Sequence, residues 1–222
     1  MEPGASKLAL RHNWLWSAAL AAGASYLWVV QQDLSGPAVI AWKGAGVGLL
    51  ALWAAANARS RDGWLIAAAL AFGALGDVLI EAAGLVPGAL AFIGGHIVAI
   101  MLYWRNRRVI LSPSQRLLGA LLAPATMLVS WLLVPDAGAA LGVAAYAAVL
   151  GMMTALAWTS RFSRYRVGIG AVFFVVSDWL IFARLGGHID PDIGRMLIWP
   201  LYFAGQALIA RGVLIKLAAD GR

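Results

Sequence analysis

The sequence lacks cysteine and is poor in charged residues. With no cysteine among its 222 residues, it can form no disulfide, iron–sulfur cluster, thiolate metal site or thiol nucleophile. Charged residues make up 12% of the chain, against roughly a quarter in soluble domains, whereas apolar residues make up 62% and mean hydropathy is +0.81. A soluble domain of this length could not bury so much apolar surface. We therefore predict an integral membrane protein in which residues 1–222 form a single transmembrane domain.

The charge that is present is mostly basic, with a net charge of +7 and an isoelectric point near 10.4. A nucleic-acid-binding protein gathers its basic groups on one water-exposed face, but here they lie in short loops between apolar runs. We therefore predict membrane lipids, and no nucleic acid, as partners. The abundance of Arg, Ala, Gly and Trp is typical of a GC-rich bacterial source, which predicts the inner membrane of a bacterium as the location.

Eight apolar stretches are bounded by charged residues or by proline and glycine. A helix needs ~20 mostly apolar residues to cross a ~30 Å hydrocarbon core. The stretches run approximately over residues 14–30, 38–56, 64–80, 88–104, 117–134, 139–159, 167–183 and 196–215. The first could be a signal peptide, but no clean small-x-small cleavage site precedes Gln31. The predicted fold class is an all-α, polytopic bundle of eight transmembrane helices.

The loops between these stretches separate by charge into two sets. One set holds most of the basic residues, namely Lys7, Arg11, Arg59, Arg61, Arg105, Arg107, Arg108, Arg116, Arg161, Arg164, Arg166, Lys216 and Arg222. The other set holds two basic and five acidic residues, namely Arg184, Arg195, Asp33, Glu81, Asp136, Asp190 and Asp192. Because basic loops are retained in the cytoplasm, we predict that both termini are cytoplasmic.

A few polar residues lie inside the apolar stretches, where ionisable groups cost ~2.5–3.5 kcal/mol to insert and are functional candidates. They are Lys43 in the second span, Asp77 in the third, His96 in the fourth, Asp178 beside Ser177 in the seventh, and Tyr202 and Gln206 in the eighth. We expect them to converge on one cavity that opens to the non-cytoplasmic side. The alternatives are that Lys43 reaches the membrane interface and that the other side chains only tie helices together. Glu81, Arg184 and His188 are predicted to lie in solvated loops without a chemical role.

Two pairs of segments are similar to each other within the chain. Residues 76–80 (GDVLI) resemble residues 177–181 (SDWLI), and residues 92–96 (FIGGH) resemble residues 202–206 (YFAGQ). With four helices in each half, this predicts a parallel pseudo-repeat with a site at the interface between the halves. Asp77 and Asp178 would then be equivalent partners.

At these residues the sequence resembles the YhhN family, the membrane lysoplasmalogenases. The similar segments are residues 75–79 (LGDVL), 92–96 (FIGGH), 170–178 (GAVFFVVSD) and 202–209 (YFAGQALI), together with Lys43. The sequence departs from the family pattern at Gly44, where a proline is common, and at Ala99, where an aromatic residue commonly stands. The resemblance implies an eight-helix membrane enzyme that hydrolyses the vinyl-ether bond of a lysoplasmalogen, a lysophospholipid, to a fatty aldehyde and glycerophosphoethanolamine or glycerophosphocholine.

That chemistry assigns expected roles to the polar residues. Vinyl-ether hydrolysis begins with protonation of the alkene by an acid that keeps its proton near neutral pH, which burial in low-dielectric surroundings favours. We expect Asp77 and Asp178 to be the catalytic pair, with acid and base unassigned, and His96 to relay protons or orient water. Lys43, Ser177, Tyr202 and Gln206 are the expected substrate contacts. No cofactor is expected, and no metal, since the chain has no HExxH-type spacing.

Two other functions remain open at the level of sequence. A proton-coupled or ion-coupled transporter also needs buried carboxylates and internal repeats, although eight helices are few for alternating access. A purely structural scaffold is the third reading, and it does not explain the buried charges.

Overall fold

The computed structural model describes residues 10–32 and 34–221, and within them the chain folds as a bundle of eight helices. Lys7, Asp33 and Arg222, which contribute to the predicted orientation, lie outside the described residues. The helices are α1 (Asn13–Val30), α2 (Pro37–Asn57), α3 (Arg61–Ala83), α4 (Leu85–Arg105), α5 (Pro113–Leu132), α6 (Ala137–Thr159), α7 (Ile169–Leu185) and α8 (Pro191–Ala219). A π-helical turn, Arg164–Gly168, runs directly into α7. In the described ranges the only extended pairing is an isolated bridge between Arg107 and Ser160, which confirms the all-helical class.

Every predicted apolar stretch is a helix, but several helices extend beyond the apolar run. Capping explains the difference, because a side-chain oxygen that accepts from a free backbone N–H lets a helix begin in polar sequence. Ser60 caps α3 through the N–H of Gly63, Asp136 caps α6 through that of Ala139, and Asp190 precedes Pro191 at the start of α8. The polar ends of these helices therefore add residues that a hydropathy criterion assigns to loops.

Seven of the eight described helices, all except α1, are long and apolar enough to cross a membrane. Helix α1 has 18 residues, which span about 27 Å at 1.5 Å per residue, and it includes Asn13 and two serines. The chain is therefore an integral membrane protein by the length and apolarity of its helices. The count of eight spans, the cytoplasmic termini, the parallel repeat and the inner-membrane location stay predictions.

Helix α8 occupies the centre of the bundle, where it packs on α1, α2, α3 and α7. Its contact with α7 is close because both helices present glycine at the crossing. A Cβ at Gly170 would lie 2.7 Å from the carbonyl oxygen of Gly205, and one at Gly205 would lie 2.6 Å from that of Gly170. Only glycine allows the two backbones to approach this closely. The crossing holds the polar side chains of α7 and α8 in a fixed relation to each other.

One end of the bundle, where α3 begins and α4 ends, carries a hydrogen-bonded network of charged and polar side chains, and we call it the basic end. The network consists of Asp62, Arg105, Asn106, Arg161 and Asp220. Asp62 accepts from Arg105 Nε and from Asn106 Nδ2, both at 3.0 Å. Arg161 donates to Asn106 Oδ1 and to Asp220 Oδ2, both at 2.6 Å. The network joins α3, α4, the α6–α7 connection and the end of α8.

Candidate functional site

A cavity of about 220 Å³ lies at the opposite end of the bundle from the basic end, and we call it the outer cavity. Its lining comes from the end of α1, the start of α2, the ends of α3 and α7, and the starts of α4 and α8. Its polar lining residues are Tyr26, Lys43, Asp77, Glu81, Ser177, Asp178, Arg184, Arg195, Trp199 and Tyr202. Five of the seven predicted site residues therefore line one cavity, namely Lys43, Asp77, Ser177, Asp178 and Tyr202.

Asp77 lies near the end of α3, and its side chain is almost completely buried, with 2% of the residue exposed. Tyr202 on α8 donates its hydroxyl to Asp77 Oδ2 at 2.8 Å. The amide Nε2 of Gln206, one turn further along α8, is 3.5 Å from Tyr202 Oη and donates to it. The chain of donors therefore runs from Gln206 through Tyr202 to Asp77.

Asp178 lies on α7 and is buried to a similar degree, with 5% exposed. Tyr146 on α6 donates its hydroxyl to Asp178 Oδ2 at 2.7 Å, and Ser177 Oγ lies 3.3 Å from Oδ1. His96 Nε2 is 3.4 Å from Tyr146 Oη. Each buried aspartate thus has one tyrosine hydroxyl as its short partner, and within the described residues neither forms an ion pair.

Sequence reasoning missed Tyr146. It stands in an otherwise apolar run of α6, where an aromatic residue is normally part of the core, and periodicity gives no sign that its hydroxyl meets a residue 32 positions away. The one available signal was weak. Tyr146 and Thr154 are the polar side chains in the interior of the sixth apolar stretch, and a polar group there needs a partner inside the bundle.

His96 and Gln206 do not line the outer cavity, which corrects the expectation that all the polar residues share one space. They line a deeper and smaller cavity of about 30 Å³, the inner chamber, instead. The rings of Phe92, Phe174 and Tyr202 lie between the two spaces and meet edge to face, with centroids 5.1 to 5.8 Å apart. His96 follows Phe92, and Gln206 follows Tyr202, by one helical turn, so the polar side chain of each pair lies behind an aromatic one.

Lys43 donates to Glu81 Oε1 at 2.6 Å, with 14% of the lysine side chain and 38% of the glutamate side chain exposed. Glu81 and Arg184 were predicted to lie in solvated loops; both are exposed, but neither lies in a loop. Glu81 is in the last turns of α3 and Arg184 in the last turn of α7, because both helices continue past their apolar runs, and both residues line the outer cavity. His188 is exposed in the connection between α7 and α8, as predicted.

The chemistry available in the outer cavity is that of carboxyl, hydroxyl, ammonium and guanidinium groups. Two carboxyl groups with hydroxyl partners can exchange a proton with a bound molecule, and the cations near the mouth can bind an anionic group. Among the described residues, no three His, Asp or Glu side chains are grouped so that they could hold a metal ion.

Comparison with known proteins gives a family and no individual relative. No curated protein and no solved structure matches the chain significantly. The model of the YhhN family matches residues 38–213, a range that begins in α2 and ends in α8 and includes every predicted site residue. The chain therefore belongs to the YhhN family.

Proposed function

We propose that the protein is a lysoplasmalogenase, a membrane hydrolase that cleaves the vinyl-ether bond of a lysophospholipid. The observation that carries the proposal is the pair of buried carboxyl groups in one cavity, each bonded to a tyrosine hydroxyl and neither in an ion pair with a cation of the described residues. Acid hydrolysis of a vinyl ether needs one group that gives a proton and one that accepts a proton from water. Asp77 and Asp178 supply both.

In the proposed reaction, one aspartic acid donates its proton to the alkene carbon β to the ether oxygen. The electron pair of the double bond forms the new C–H bond, which leaves an oxocarbenium ion beside the second, ionised carboxylate, as two carboxyl groups do in glycoside hydrolysis. Water adds to the cationic carbon while that carboxylate takes its proton. The resulting hemiacetal collapses to a fatty aldehyde and a free glycerol hydroxyl.

The cations that line the outer cavity fit the phosphate of a lysophospholipid. Arg184 and Arg195 enter the cavity wall from α7 and α8, and guanidinium groups bind phosphate oxygens through paired hydrogen bonds. Lys43 supplies a third positive charge in the cavity lining, where it forms an ion pair with Glu81. The proposed substrate therefore has its headgroup near these residues and its vinyl ether deeper, between the two aspartates.

An apolar groove of about 540 Å³ between α1 and α8 suits the alkyl chain of the same molecule. Trp199 lines both the groove and the outer cavity, so the two spaces meet at this ring. The indole of Trp199 is fixed by its hydrogen bond to the carbonyl oxygen of Gly23, at 2.8 Å. A chain that leaves the outer cavity past Trp199 would reach the lipid phase sideways.

His96 and Gln206 act indirectly in this proposal, because the structure places them behind the aromatic rings. His96 orients Tyr146, which donates to Asp178. Gln206 orients Tyr202, which donates to Asp77. Ser177 donates to the backbone of Phe174 at 2.7 Å and lies beside Asp178, so it positions the carboxyl group as well as lining the cavity.

The test is aldehyde release by the purified protein in detergent. A lysoplasmalogen should yield aldehyde and a saturated lyso-ether should yield none, because it has no alkene to protonate. Asp77→Asn and Asp178→Asn should each reduce the rate by about 10²–10⁴-fold, the range for loss of a general acid or base. Asp136→Asn is the matched control, since it removes an exposed carboxylate and leaves a residue that still caps α6.

Near-normal turnover by either cavity variant would contradict the two-carboxylate mechanism. Aldehyde from neither lipid, with solute accumulation in proteoliposomes, would favour a transporter.

A further inference from the structure

The inner chamber lies among α3, α4, α6, α7 and α8, behind the aromatic rings that border the outer cavity. Most of its wall is apolar, and Met153 is part of that wall. Three polar side chains also line it, those of His96, Tyr103 and Gln206. All three are buried. A polar group in such a place is normally hydrogen-bonded, either to protein or to water.

Tyr103 is the exception to that rule. No part of the residue is exposed, and its Oη has no hydrogen-bond partner among the described residues. The chamber volume of about 30 Å³ exceeds the ~10–15 Å³ that a buried water needs, and such a water needs two to four polar partners. Tyr103, His96 and Gln206 supply them. The chamber therefore has both the room and the polar groups for a water site.

The same chamber joins the two hydrogen-bond chains that end at the aspartates. One chain runs from Gln206 through Tyr202 to Asp77, and the other from His96 through Tyr146 to Asp178. His96 and Gln206 are the inner ends of the two chains, and both line the chamber. A water between them would close one continuous path from Asp77 to Asp178.

Gly73 on α3 also lines the chamber. It lies beside the hydrogen-bond chain that runs from Gln206 through Tyr202 to Asp77. A Cβ added there would lie 2.9 Å from Gln206 Nε2 and 3.5 Å from Tyr202 Oη. Both polar atoms therefore pack against Gly73, which puts the Tyr202 hydroxyl next to the wall of the chamber. A water in the chamber that bonds to this hydroxyl, which donates to Asp77, would let the proton bypass the amide of Gln206.

We propose that the inner chamber binds water, and that this water carries a proton between Asp77 and Asp178 after each turnover. The second part rests on the proposed function. In that reaction the acid gives its proton to carbon and the other carboxylate takes one from the attacking water. Collapse of the hemiacetal moves one proton from its hydroxyl group to the departing glycerol oxygen, and so changes neither carboxyl group.

Each turnover therefore ends with the proton on the wrong aspartate. For the next turnover, the protonated carboxyl passes its proton to the tyrosine that bonds it. The tyrosine releases its own proton towards the chamber, where water and the imidazole of His96 transfer it in the same way. The tyrosine at the other end delivers a proton to the ionised carboxylate, and no other reactant is consumed. Tyr103 positions the water in this path, and the chamber keeps the path separate from the space that the lipid occupies.

The water site can be tested without substrate by radiolytic footprinting in ¹⁸O-labelled water. Met153 is buried but lines the chamber, so a bound water should label it with ¹⁸O when irradiated. Trp53 is equally buried and lies outside the chamber, so it should stay unlabelled. Ala99→Val fills the chamber and should abolish labelling of Met153. A wild-type protein in which Met153 stays unlabelled, at a dose that labels the exposed Met196, would overturn the water site.

The proton path is tested by the time course of aldehyde release. The first turnover uses the proton already in place, so Gly73→Ala, Ala99→Val and Tyr103→Phe should each give a burst of about one aldehyde per protein. After the burst, the steady rate of aldehyde release should be at least about tenfold below that of the wild type. It should still be higher than the rate of Asp77→Asn or Asp178→Asn. Gly48→Ala is the matched control for the glycine variant, because its Cβ would have its nearest neighbour at 3.9 Å, an ordinary contact.

The outcomes separate the two proposals. If the wild type releases no aldehyde while Met153 is labelled, the proposed function fails and the water site stands. If the variants that lose the labelling of Met153 release aldehyde linearly at the wild-type rate, the proton path is wrong. Tyr103→Phe keeps the ring and removes only the unpartnered hydroxyl, so it provides the test even if the bulkier variants do not fold.

Discussion

The two ends of the bundle handle buried carboxyl groups in opposite ways. At the basic end, the buried Asp62 bonds to Arg105 on another helix, and the exposed Asp220 bonds to Arg161. At the other end, Asp77 and Asp178 bond to tyrosine hydroxyls and, within the described residues, to no cation. A carboxylate fixed by a cation ties helices together and stays ionised, whereas a carboxyl group bonded to a hydroxyl can gain and lose a proton without breaking an ion pair. The comparison distinguishes carboxylates that hold the structure together from carboxyl groups that can take part in proton transfer.

The largest expected effect is on catalysis, and it concerns Asp77 and Asp178 as a unit. Asp77→Asn and Asp178→Asn should each lower kcat by about 10²–10⁴-fold. The double variant should be little slower than the slower single variant, because groups that act together show strongly non-additive losses. The measurement is aldehyde release by all four proteins under the same conditions. If the two losses multiply in the double variant, the two carboxyl groups act independently. The contrast with the basic end would then not reflect a shared catalytic role of Asp77 and Asp178.

At the basic end, Asp62→Asn should affect stability and leave the reaction intact. The substitution removes the charge that pairs with Arg105 and weakens the contact with Asn106, both at 3.0 Å. Because the side chain of Arg105 is 43% exposed, water replaces part of the lost interaction, and we expect a cost of about 1–3 kcal/mol. Thermal unfolding in detergent measures it. Turnover per folded molecule should stay near that of the wild type, and a catalytic loss comparable with that of Asp178→Asn would contradict the division between the two ends.

The hydroxyl partners of the two aspartates provide a finer test. Tyr146→Phe and Tyr202→Phe each remove one hydroxyl and keep the ring, so each should lower kcat by roughly tenfold or more, the equivalent of one hydrogen bond to a charged group. Tyr165→Phe is the control, since Tyr165 is exposed in the π-helical turn before α7. Equal rates in all three variants would show that the hydroxyls serve packing alone.

Much of this arrangement could be predicted from the sequence, because a membrane imposes strong rules on composition. The eight apolar stretches are all helices, since length and hydropathy suffice to define them. Five of the seven predicted site residues meet in one cavity, because an ionisable group in a span has to face the interior of the bundle. The rule does not predict how deep in the bundle each polar side chain lies. His96 and Gln206 lie one turn behind Phe92 and Tyr202, and rings from three helices close the space between.

The residues that sequence reasoning missed depend on contacts between distant helices or on helix ends. The role of Tyr146 depends on its hydrogen bond to Asp178, which lies 32 positions away in the sequence. Glu81 and Arg184 belong to the cavity because α3 and α7 extend past the C-terminal ends of their apolar runs, to Ala83 and Leu185. Arg211 was overlooked although it lies within the eighth apolar stretch; its guanidinium stands over the ring of Trp16, 5.3 Å from the centroid, at the edge of the groove between α1 and α8. Such contacts have no signature in one-dimensional periodicity.

The smallest expected effect is the pH dependence of the basic end, and it follows from Asp220. Burial tends to raise the pKa of this carboxyl group, but the hydrogen bond from Lys216 and the charge of Arg161 outweigh it and hold the pKa below its ordinary value of 3.8. A pKa that is lower in the folded than in the unfolded protein contributes stability at pH values above the unfolded pKa, and this contribution is lost as the pH falls through the folded pKa.

Asp220→Asn should therefore lower thermal stability at neutral pH by no more than about 1 kcal/mol, since the ion pairs are partly exposed. The difference from the wild type should shrink as the pH falls below 3.8. Thermal unfolding of both proteins across this pH range measures it, and a difference that stays constant or grows towards acid would mean that Asp220 acts through packing and not through its charge.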